Sequence, residues 1–433
     1  MTGPPAGDRM TVVFFPEGAF GPTNNCVGIA QALQRRGARA VFVVEESFAG
    51  TLAAQGFEER LVRLKPAPAL PEEPGQFWKD FIRETAPELR RPPIEQLAGL
   101  VRPIWAELIE GARFAEERLG QIFAELRPAV IVEDNVVAFP AVLRAGCPWV
   151  RIVSCNPLEV EDRRLPPALS GLPTDDDRGW AAFRAARARA VGDLQAQLAA
   201  LVASSGAPAL PAGTFIPPSP FLNLTVFPAE MDYARSVPLD GSWHRLDSCV
   251  RVAAGTYRLP ARLAGGDRPV VYLSLGSLGS GDLPLMERLL EVLGRSPYRV
   301  VVSLGPQHQR LRLRENMDGA PFLPQPSVLP QVDVVITHGG NNTVTECVHH
   351  GRPMVVLPLF WDQHDNAQRV QECGFGVRLP TYEFREAALL EALEDCLGDT
   401  ARRARLAGVA ARLQAQPGTE RAADLIARVG ARR

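Results

Sequence analysis

The sequence predicts an α/β protein with two doubly wound, mostly parallel sheets that face each other across a cleft. The chain has 433 residues, more than one hydrophobic core usually organises, so two domains are expected. Apolar, β-branched runs alternate with helical periodicity in the first half, and the alternation begins again after residue 260. Ligands of open parallel sheets bind beyond the carboxyl ends of the strands, so two facing sheets imply a binding cleft between the domains.

The individual segments follow from apolar runs, helical spacing and turn residues. In the first half, strands are predicted at 11–15, 40–44, 129–133 and 148–153. Helices are predicted at 27–37, about 94–126 and 179–204, with a short helix at 48–56 and a crossover segment at 136–146. Pro-rich loops are predicted at 64–75 and 207–220. In the second half, strands are predicted at 269–276, 298–305, 332–340 and 353–359, and helices at 284–296 and 343–351. We expect a first domain at 1–235 and a second at 236–433, with the last helix returning to the first domain.

Composition argues against several classes of partner. The 47 Lys and Arg residues nearly balance the 49 Asp and Glu residues, and no basic block is present, so nucleic acid is not an expected partner. No apolar run approaches the ~20 residues of a membrane-spanning helix, and the N-terminus lacks the pattern of an export signal. The seven cysteines have no metal-like spacing. A cytoplasmic monomer or homodimer is expected, with no metal.

The segment 322–369 carries the clearest chemical pattern. Its apolar strand ends in His338, Gly339 and Gly340, and the following helix opens with Asn342 and Thr343 near its N-terminus. Free backbone N–H groups and the helix dipole attract phosphate there, while the two glycines let a ligand approach the backbone. The pattern predicts a seat for a diphosphate, although a tight strand-to-helix turn would have the same glycines.

Three carboxylate or amide side chains nearby suit the hydroxyls of a sugar nucleotide. Glu346 follows Thr343 by one helical turn and could accept hydrogen bonds from two ribose hydroxyls. Asp362 and Gln363 follow the strand at 353–359, so they fall at the same edge of the sheet. Alternatively, Asp362 only caps the helix that starts near residue 366.

This stretch resembles the donor-binding signature of family 1 glycosyltransferases, which have the GT-B fold and include UDP-sugar and bacterial antibiotic glycosyltransferases. The resemblance implies that His338, Asn342 and Thr343 contact the phosphates, Glu346 the ribose, and Asp362 and Gln363 the sugar. It places Phe322 against the base, with Gln325 near it, and Ser277 near the phosphates, where Ser277 could also be a simple turn residue. The matching residues are His338-Gly339-Gly340, Asn342-Thr343, Glu346, Gly351-Arg352-Pro353, Asp362-Gln363 and Asn366-Ala367.

The usual catalytic base of the family is missing from the first half. The family carries a histidine in the loop after the first strand, a position that falls at about Pro22, and all six histidines lie beyond residue 240. Asp134 matches the family's partner aspartate and could act as base if burial raises its pKa. Glu17 is a second candidate and Glu133 a third. Asp134 could instead be a helix cap or turn residue, and an already acidic acceptor would need little help.

The function that the resemblance implies is transfer of a hexose, with glucose favoured, to a small apolar acceptor such as a polyketide or phenol. The co-substrate would be UDP-glucose or a dTDP-sugar, with UDP favoured, and no other cofactor is expected. The reaction would invert the configuration at the anomeric carbon. Two alternatives stay open. The chain could be a non-catalytic partner or activator that kept the donor pocket, or an epimerase or hydrolase that acts on the nucleotide sugar itself.

Overall fold

The computed structural model describes residues 9–68, 72–253 and 255–431. Residues 1–8, which contributed to the expectation of no export signal, and residues 69–71 of the predicted loop at 64–75 lie outside this set.

The first domain is built on a seven-stranded sheet in which every recorded strand pair is parallel. Its spatial order is β3-β2-β1-β4-β5-β6-β7. The strands are β1 (Thr11–Pro16), β2 (Arg39–Glu45), β3 (Glu58–Val62), β4 (Val130–Asp134), β5 (Trp149–Val153), β6 (Leu222–Thr225) and β7 (Trp243–Arg245). The inner strands are buried on both faces, as their unbroken apolar runs require.

The second domain repeats this plan with six parallel strands in the order β10-β9-β8-β11-β12-β13. These strands are β8 (Val270–Ser274), β9 (Arg299–Ser303), β10 (Met317–Ala320), β11 (Val334–Thr337), β12 (Met354–Val356) and β13 (Gly376–Arg378). Two doubly wound sheets of this kind confirm the predicted fold class.

Helices cover the faces of both sheets. In the first domain they are Phe20–Arg35, Gln76–Thr85, Pro93–Gln96, Arg102–Leu126, Pro140–Leu143 and Trp180–Ser204, with one π-helical turn at Leu97–Val101. Later in the chain they are Ala261–Ala264, Gly276–Gly279, Leu283–Gly294, Gln325–Val328, Asn341–His349, Gln363–Glu372, Glu386–Gly398, Thr400–Ala415 and Gly418–Gly430. Short 3₁₀ turns lie at Glu46–Phe48, Ala53–Gln55, Ala86–Arg90, Pro157–Glu159, Ala229–Met231, His308–Arg310 and Leu329–Gln331.

The strand order reverses once in each sheet, and these two points define where ligands can bind. In the first sheet β1 lies between β2 and β4, and in the second β8 lies between β9 and β11. Neighbouring crossovers leave in opposite directions there, which opens a crevice at the carboxyl ends of the strands. Glu17 follows β1 and His338 follows β11, so residues from both predicted motifs lie at the two crevices.

Several elements differ from the prediction. The segment at 48–56 forms 3₁₀ turns instead of a helix, since Gly50 and Gly56 adopt left-handed φ angles of 81° and 84°. The strand Glu58–Val62 was missed because its EERLV sequence is charged and mostly half-buried at the sheet edge. The first sheet also runs past residue 235, the predicted boundary, because Trp243–Arg245 pairs with Leu222–Thr225.

The last helix, Gly418–Gly430, packs on the first domain. Its residues Ala422, Ala423 and Ile426 are fully buried in the same apolar cluster as residues of the first sheet. The helix starts in close contact with the backbone after β7, where a methyl group built on Gly418 would lie 2.1 Å from the carbonyl oxygen of Leu246. The chain therefore crosses between the domains twice.

We expect Gly418→Ala to destabilise the protein by about 1–3 kcal/mol, because the added methyl group forces backbone atoms apart. Gly408→Ala is the matched control, since it lies within the helix Thr400–Ala415 with no atom inside 4 Å of the added carbon. That substitution should leave stability unchanged or raise it by about 0.5–1 kcal/mol. Denaturant unfolding of both variants measures the difference, and equal midpoints would contradict the tight helix contact.

Candidate active site

A cavity of about 560 Å³ lies between the two domains at the carboxyl ends of both sheets. Ten of the eleven predicted donor-site residues line it, and Gly339 is the exception. Glu17 lines the same cavity from the first domain, whereas Asp134 and Glu133 do not. The structure therefore brings one of the three candidate bases together with the predicted donor residues.

The His338 ring is held between two glycines. A methyl group on Gly276 would lie 2.7 Å from His338 Cε1, and one on Gly340 would lie 2.6 Å from His338 Nε2. Gly339 adopts φ = 87°, and a methyl group there would meet Val356 at 2.8 Å. Because these glycines have no side chains, they leave space for the His338 imidazole and for Val356, as well as for any ligand.

Desolvation keeps the His338 imidazole neutral. The surrounding protein lowers its pKa to about 4, with burial as the cause. A neutral imidazole retains one N–H, so His338 can donate one hydrogen bond to an anionic oxygen at neutral pH without carrying a charge.

The N-terminus of the helix Asn341–His349 faces the cavity, but its asparagine side chains hold the first domain. Asn342 accepts a hydrogen bond from Asn25 Nδ2 at 2.8 Å and donates one to the Gly21 carbonyl at 2.8 Å. Asn341 donates to the Val226 carbonyl at 2.9 Å. The groups left for an anion are the first backbone N–H groups of the helix, which have no intrahelical acceptor.

Glu346 already has two polar partners. Arg251 Nη1 donates to its Oε1 at 2.9 Å, and Gln325 Nε2 donates to its Oε2 at 2.7 Å. Gln325 also lies 3.3 Å from Thr343 Oγ1. A vicinal diol approaching Glu346 would share or replace the Gln325 hydrogen bond. Phe322, at the rim of the cavity, is 57% exposed and offers a ring face for stacking.

Asp362 and Gln363 are both buried and both hydrogen-bonded. Asp362 Oδ2 accepts from the Asn156 backbone N–H of the first domain at 2.9 Å and from Asn366 at 3.2 Å. Burial raises the pKa of Asp362 to about 7, although the hydrogen bond from Asn156 opposes the shift. Gln363 Oε1 accepts from the backbone of Leu359 and Phe360, so its amide nitrogen is the group left for a ligand.

Glu17 is the candidate base with access to the cavity. Its backbone N–H donates to the Asp134 carbonyl at 3.0 Å, which joins the ends of β1 and β4. Its carboxyl group makes no side-chain hydrogen bond to the described residues. Burial raises the pKa of Glu17 to about 7, and the nearby Glu159 carboxylate adds to the rise.

Asp134 and Glu133 lie behind the cavity wall. Asp134 is 4% exposed and accepts a hydrogen bond from Ser154 Oγ at 2.7 Å, while its Oδ2 has no partner among the described residues. Burial raises the pKa of Asp134 well above its usual value. Glu133 is fully buried opposite Arg151, and burial raises its pKa to about 8. Ser154, the donor to Asp134, itself lines the cavity.

Sequence reasoning missed several residues of the cavity. Arg251 lies in the irregular stretch between the domains, where no periodic pattern marks it. Ser154 directly follows β5, so its place at a strand end was the signal that could have identified it. Trp361 has φ = 57°, an unusual angle for a large side chain, and the sequence contains no sign of it.

Two further observations concern residues 9–68, 72–253 and 255–431. Within these ranges no helix combines the length and the apolar character needed to cross a bilayer. The same ranges contain no group of three or more His, Cys, Asp or Glu side chains placed to hold a metal ion.

Comparison with known proteins gives a family match for most of the second domain. Residues 260–409 match the family model for "UDP-glucoronosyl and UDP-glucosyl transferase". NDP-glycosyltransferase YjiC of Bacillus subtilis (strain 168) is 31% identical over 160 residues, which cover 36% of this chain and 41% of that protein. Demethyllactenocin mycarosyltransferase of Streptomyces fradiae is 24% identical over 380 residues, 84% of this chain and 74% of that protein. The alignments to the first three curated relatives each span less than half of the relative's length.

Solved structures share the whole fold. The glycotransferase of kitacinnamycin superposes with a TM-score of 0.67 at 22% identity, covering 97% of this chain and 99% of that one. SsfS6 of Streptomyces sp. SF2575, solved with thymidine diphosphate, superposes with a TM-score of 0.62 at 16% identity, covering 96% and 98%. The two sheets and these superpositions show that the chain has the GT-B fold, and its residues 260–409 match the UDP-glucoronosyl and UDP-glucosyl transferase family model.

Proposed function

We propose that this protein is a glycosyltransferase that moves a hexose from a uridine or thymidine diphosphate sugar to an apolar small-molecule acceptor. The observation that carries the proposal is the shared cavity: the donor-type residues of the second domain and Glu17 of the first line one interdomain space. The family match supports the reaction class. The SsfS6 complex with thymidine diphosphate supports a pyrimidine nucleotide as the donor's leaving group.

The donor would bind along the second domain by direct polar contacts. Backbone N–H groups at residues 341–343 and the neutral His338 would hold the diphosphate, with the Ser277 hydroxyl beside them. Glu346 would accept the ribose hydroxyls, and Phe322 would stack on the base. Asp362 and the Gln363 amide would contact the hexose hydroxyls, which favours a sugar such as glucose that keeps them.

Glu17 would act as the general base of a one-step displacement. Its carboxylate takes the proton from the acceptor hydroxyl, and the acceptor oxygen forms a bond to the anomeric carbon. The bond from that carbon to the diphosphate oxygen breaks, and the leaving diphosphate keeps the electron pair near the helix N-terminus. Attack from the opposite side inverts an α-linked donor to a β-glycoside.

Asp134 would act as a positioning residue through Ser154. Its hydrogen bond from Ser154 fixes a hydroxyl on the cavity wall beside Glu17. Burial raises the pKa of Asp134 well above its usual value, while the hydrogen bond from Ser154 opposes the shift. In the family that this chain resembles, the corresponding aspartate orients a histidine in the loop after the first strand, and this chain has no histidine in that loop.

The first-domain wall of the cavity favours an apolar acceptor. Phe20, Pro22, Trp78, Ile104 and Leu108 line it, and they come from the first helix, its N-terminal turn and two later helices. An aromatic or polyketide-like molecule would bury apolar surface there, at about 25 cal/mol per Å². A sugar or peptide acceptor would leave its polar groups without partners against this wall.

We expect UDP or dTDP to bind the purified protein and His338→Ala to weaken that binding roughly 10- to 100-fold, the value of one hydrogen bond to a charged group. Calorimetric titration with UDP, dTDP, GDP and UDP-glucose measures it. His244→Ala is the control, because His244 lies on the strand Trp243–Arg245 outside the cavity. Absence of binding by any nucleotide would overturn the transferase proposal, and binding without product formation would favour a non-catalytic partner protein.

We expect Glu17→Gln to lower turnover about 100- to 10,000-fold while nucleotide affinity is kept. The base must be ionised, so the kcat of the unmodified enzyme should rise with pH through about 7 and level off above it. The Glu17→Gln variant should lose that rise. Product formation from UDP-glucose and a phenol, followed between pH 5 and 9, reports both effects.

The Asp134→Asn variant tests whether Glu17 or Asp134 is the general base. The variant keeps a side-chain oxygen that can accept from Ser154, so turnover should fall much less than in Glu17→Gln and the rise near pH 7 should persist. A larger loss in Asp134→Asn, together with loss of the pH dependence, would identify Asp134 as the base. Consumption of UDP-glucose without an acceptor would instead support a hydrolase or epimerase.

A further inference from the structure

An irregular loop of the first domain lies against the helix Gln363–Glu372 of the second domain. Residues 165–171 of this loop are all buried, although they form neither helix nor strand. Loops normally lie at the protein surface, because buried backbone N–H and C=O groups need hydrogen-bond partners. We name residues 165–174 the domain-contact loop, since several of its backbone groups find their partners in the second domain.

The backbone of the domain-contact loop surrounds one carboxylate of the second domain. The Leu169 N–H donates to Asp365 Oδ2 at 2.6 Å, and the Gly171 N–H donates to Asp365 Oδ1 at 2.7 Å. Leu169 and Gly171 both have left-handed φ angles, 72° and 59°, an unusual conformation for leucine. Backbone N–H groups that converge in such turns form concave anion sites. Asp365, which is 2% exposed, occupies this one.

Gly171 brings the loop into direct contact with the backbone of the helix. A methyl group on Gly171 would lie 2.9 Å from His364 Cβ and 3.0 Å from the His364 carbonyl oxygen. The Gly171 carbonyl also accepts a hydrogen bond from Arg378 Nη1 at 2.8 Å. The loop therefore cannot approach the helix more closely, and it cannot move away without breaking these hydrogen bonds.

Asp365 lies one helical turn after Asp362, at the start of the helix that carries two predicted donor residues. Asp362 and Gln363 line the interdomain cavity of about 560 Å³, whereas Asp365 does not. Asp362 is itself held by the first domain, since it accepts from the Asn156 backbone N–H at 2.9 Å. Backbone N–H groups of the first domain thus fix both carboxylates of this turn. Asp365 can affect a ligand in the cavity only through the position of its neighbours.

We propose that Asp365 and the backbone of residues 169–171 are positioning groups for the donor sugar. They hold the first turn of the helix Gln363–Glu372 so that Asp362 and the Gln363 amide face the sugar hydroxyls. The inference rests on the proposed function, which assigns Asp362 and Gln363 to the hexose. Since the contact joins the two domains, the sugar subsite is complete only while the domain-contact loop is in place. The nucleotide subsite, at residues 338–346, does not depend on this contact.

The test compares the affinities of UDP and UDP-glucose for the full-length protein by calorimetric titration without acceptor. In Asp365→Asn the amide can accept from one backbone N–H but presents its own NH₂ group to the other. We expect the Kd of UDP-glucose to rise roughly tenfold, the value of one hydrogen bond to a charged group, while the Kd of UDP stays within about twofold. The same comparison is made with dTDP and dTDP-glucose if the thymidine nucleotide binds more tightly.

Two further variants separate positioning from a general loosening of the domains. Gly171→Ala disturbs the same contact from the loop side, so it should raise the ratio of the two Kd values in the same direction, and it carries the test should Asp365→Asn fail to fold. Glu372→Gln is the matched control. Glu372 accepts from the Thr174 backbone N–H of the same loop at 2.8 Å, but it lies at the far end of the helix, so the ratio should not change.

The outcomes distinguish this proposal from the transferase proposal. A folded Asp365→Asn or Gly171→Ala protein with an unchanged ratio would overturn the positioning role and leave the donor site intact. An equal loss of UDP and UDP-glucose binding, or the same rise in the ratio for Glu372→Gln, would overturn it in favour of a merely structural contact. Absence of nucleotide binding by the unsubstituted protein would overturn both proposals.

Discussion

Buried and partly buried hydrogen bonds between the two domains are the constraint on which the site depends. Asp362 accepts from the Asn156 backbone, and Asn342 both accepts from Asn25 and donates to the Gly21 carbonyl. Each such bond contributes about 1 kcal/mol, but leaving one of these groups unpaired in the interior costs more. The network therefore favours one arrangement of the domains, in which the carboxyl ends of both sheets face the same cavity.

The same hydrogen bonds limit which polar atoms of the predicted donor residues remain free to bind a ligand. Asn342 has both polar atoms of its side chain occupied by the first domain, so the helix offers a phosphate its backbone N–H groups and not that amide. Glu346 is bridged by Arg251 and Gln325, which fix the orientation of its carboxylate. Side chains at this cavity thus hold protein segments together as well as lining the space for a ligand.

On the first-domain side of the cavity, desolvation changes the pKa values of the carboxyl groups. Glu17, Asp134 and Glu133 are all carboxyl groups near the ends of β1 and β4, and burial raises the pKa of each. Their access to the cavity differs, because only Glu17 lines it. Glu17 therefore combines a raised pKa with access to the cavity, as the proposed role of general base requires.

The sequence by itself determined the two-sheet fold class and the position of the predicted donor motif. Those features are local: apolar β-branched runs form buried parallel strands, and glycines followed by a helix start mark a turn at a strand end. Only the tertiary structure decided that Glu17 lines the cavity while Asp134 is buried against Ser154, which comes from a neighbouring strand end. It also brought Arg251 to Glu346 across 95 residues of sequence, a contact that no local pattern records. Long-range packing determines burial and pairing, and these in turn determine which of several plausible side chains can do chemistry.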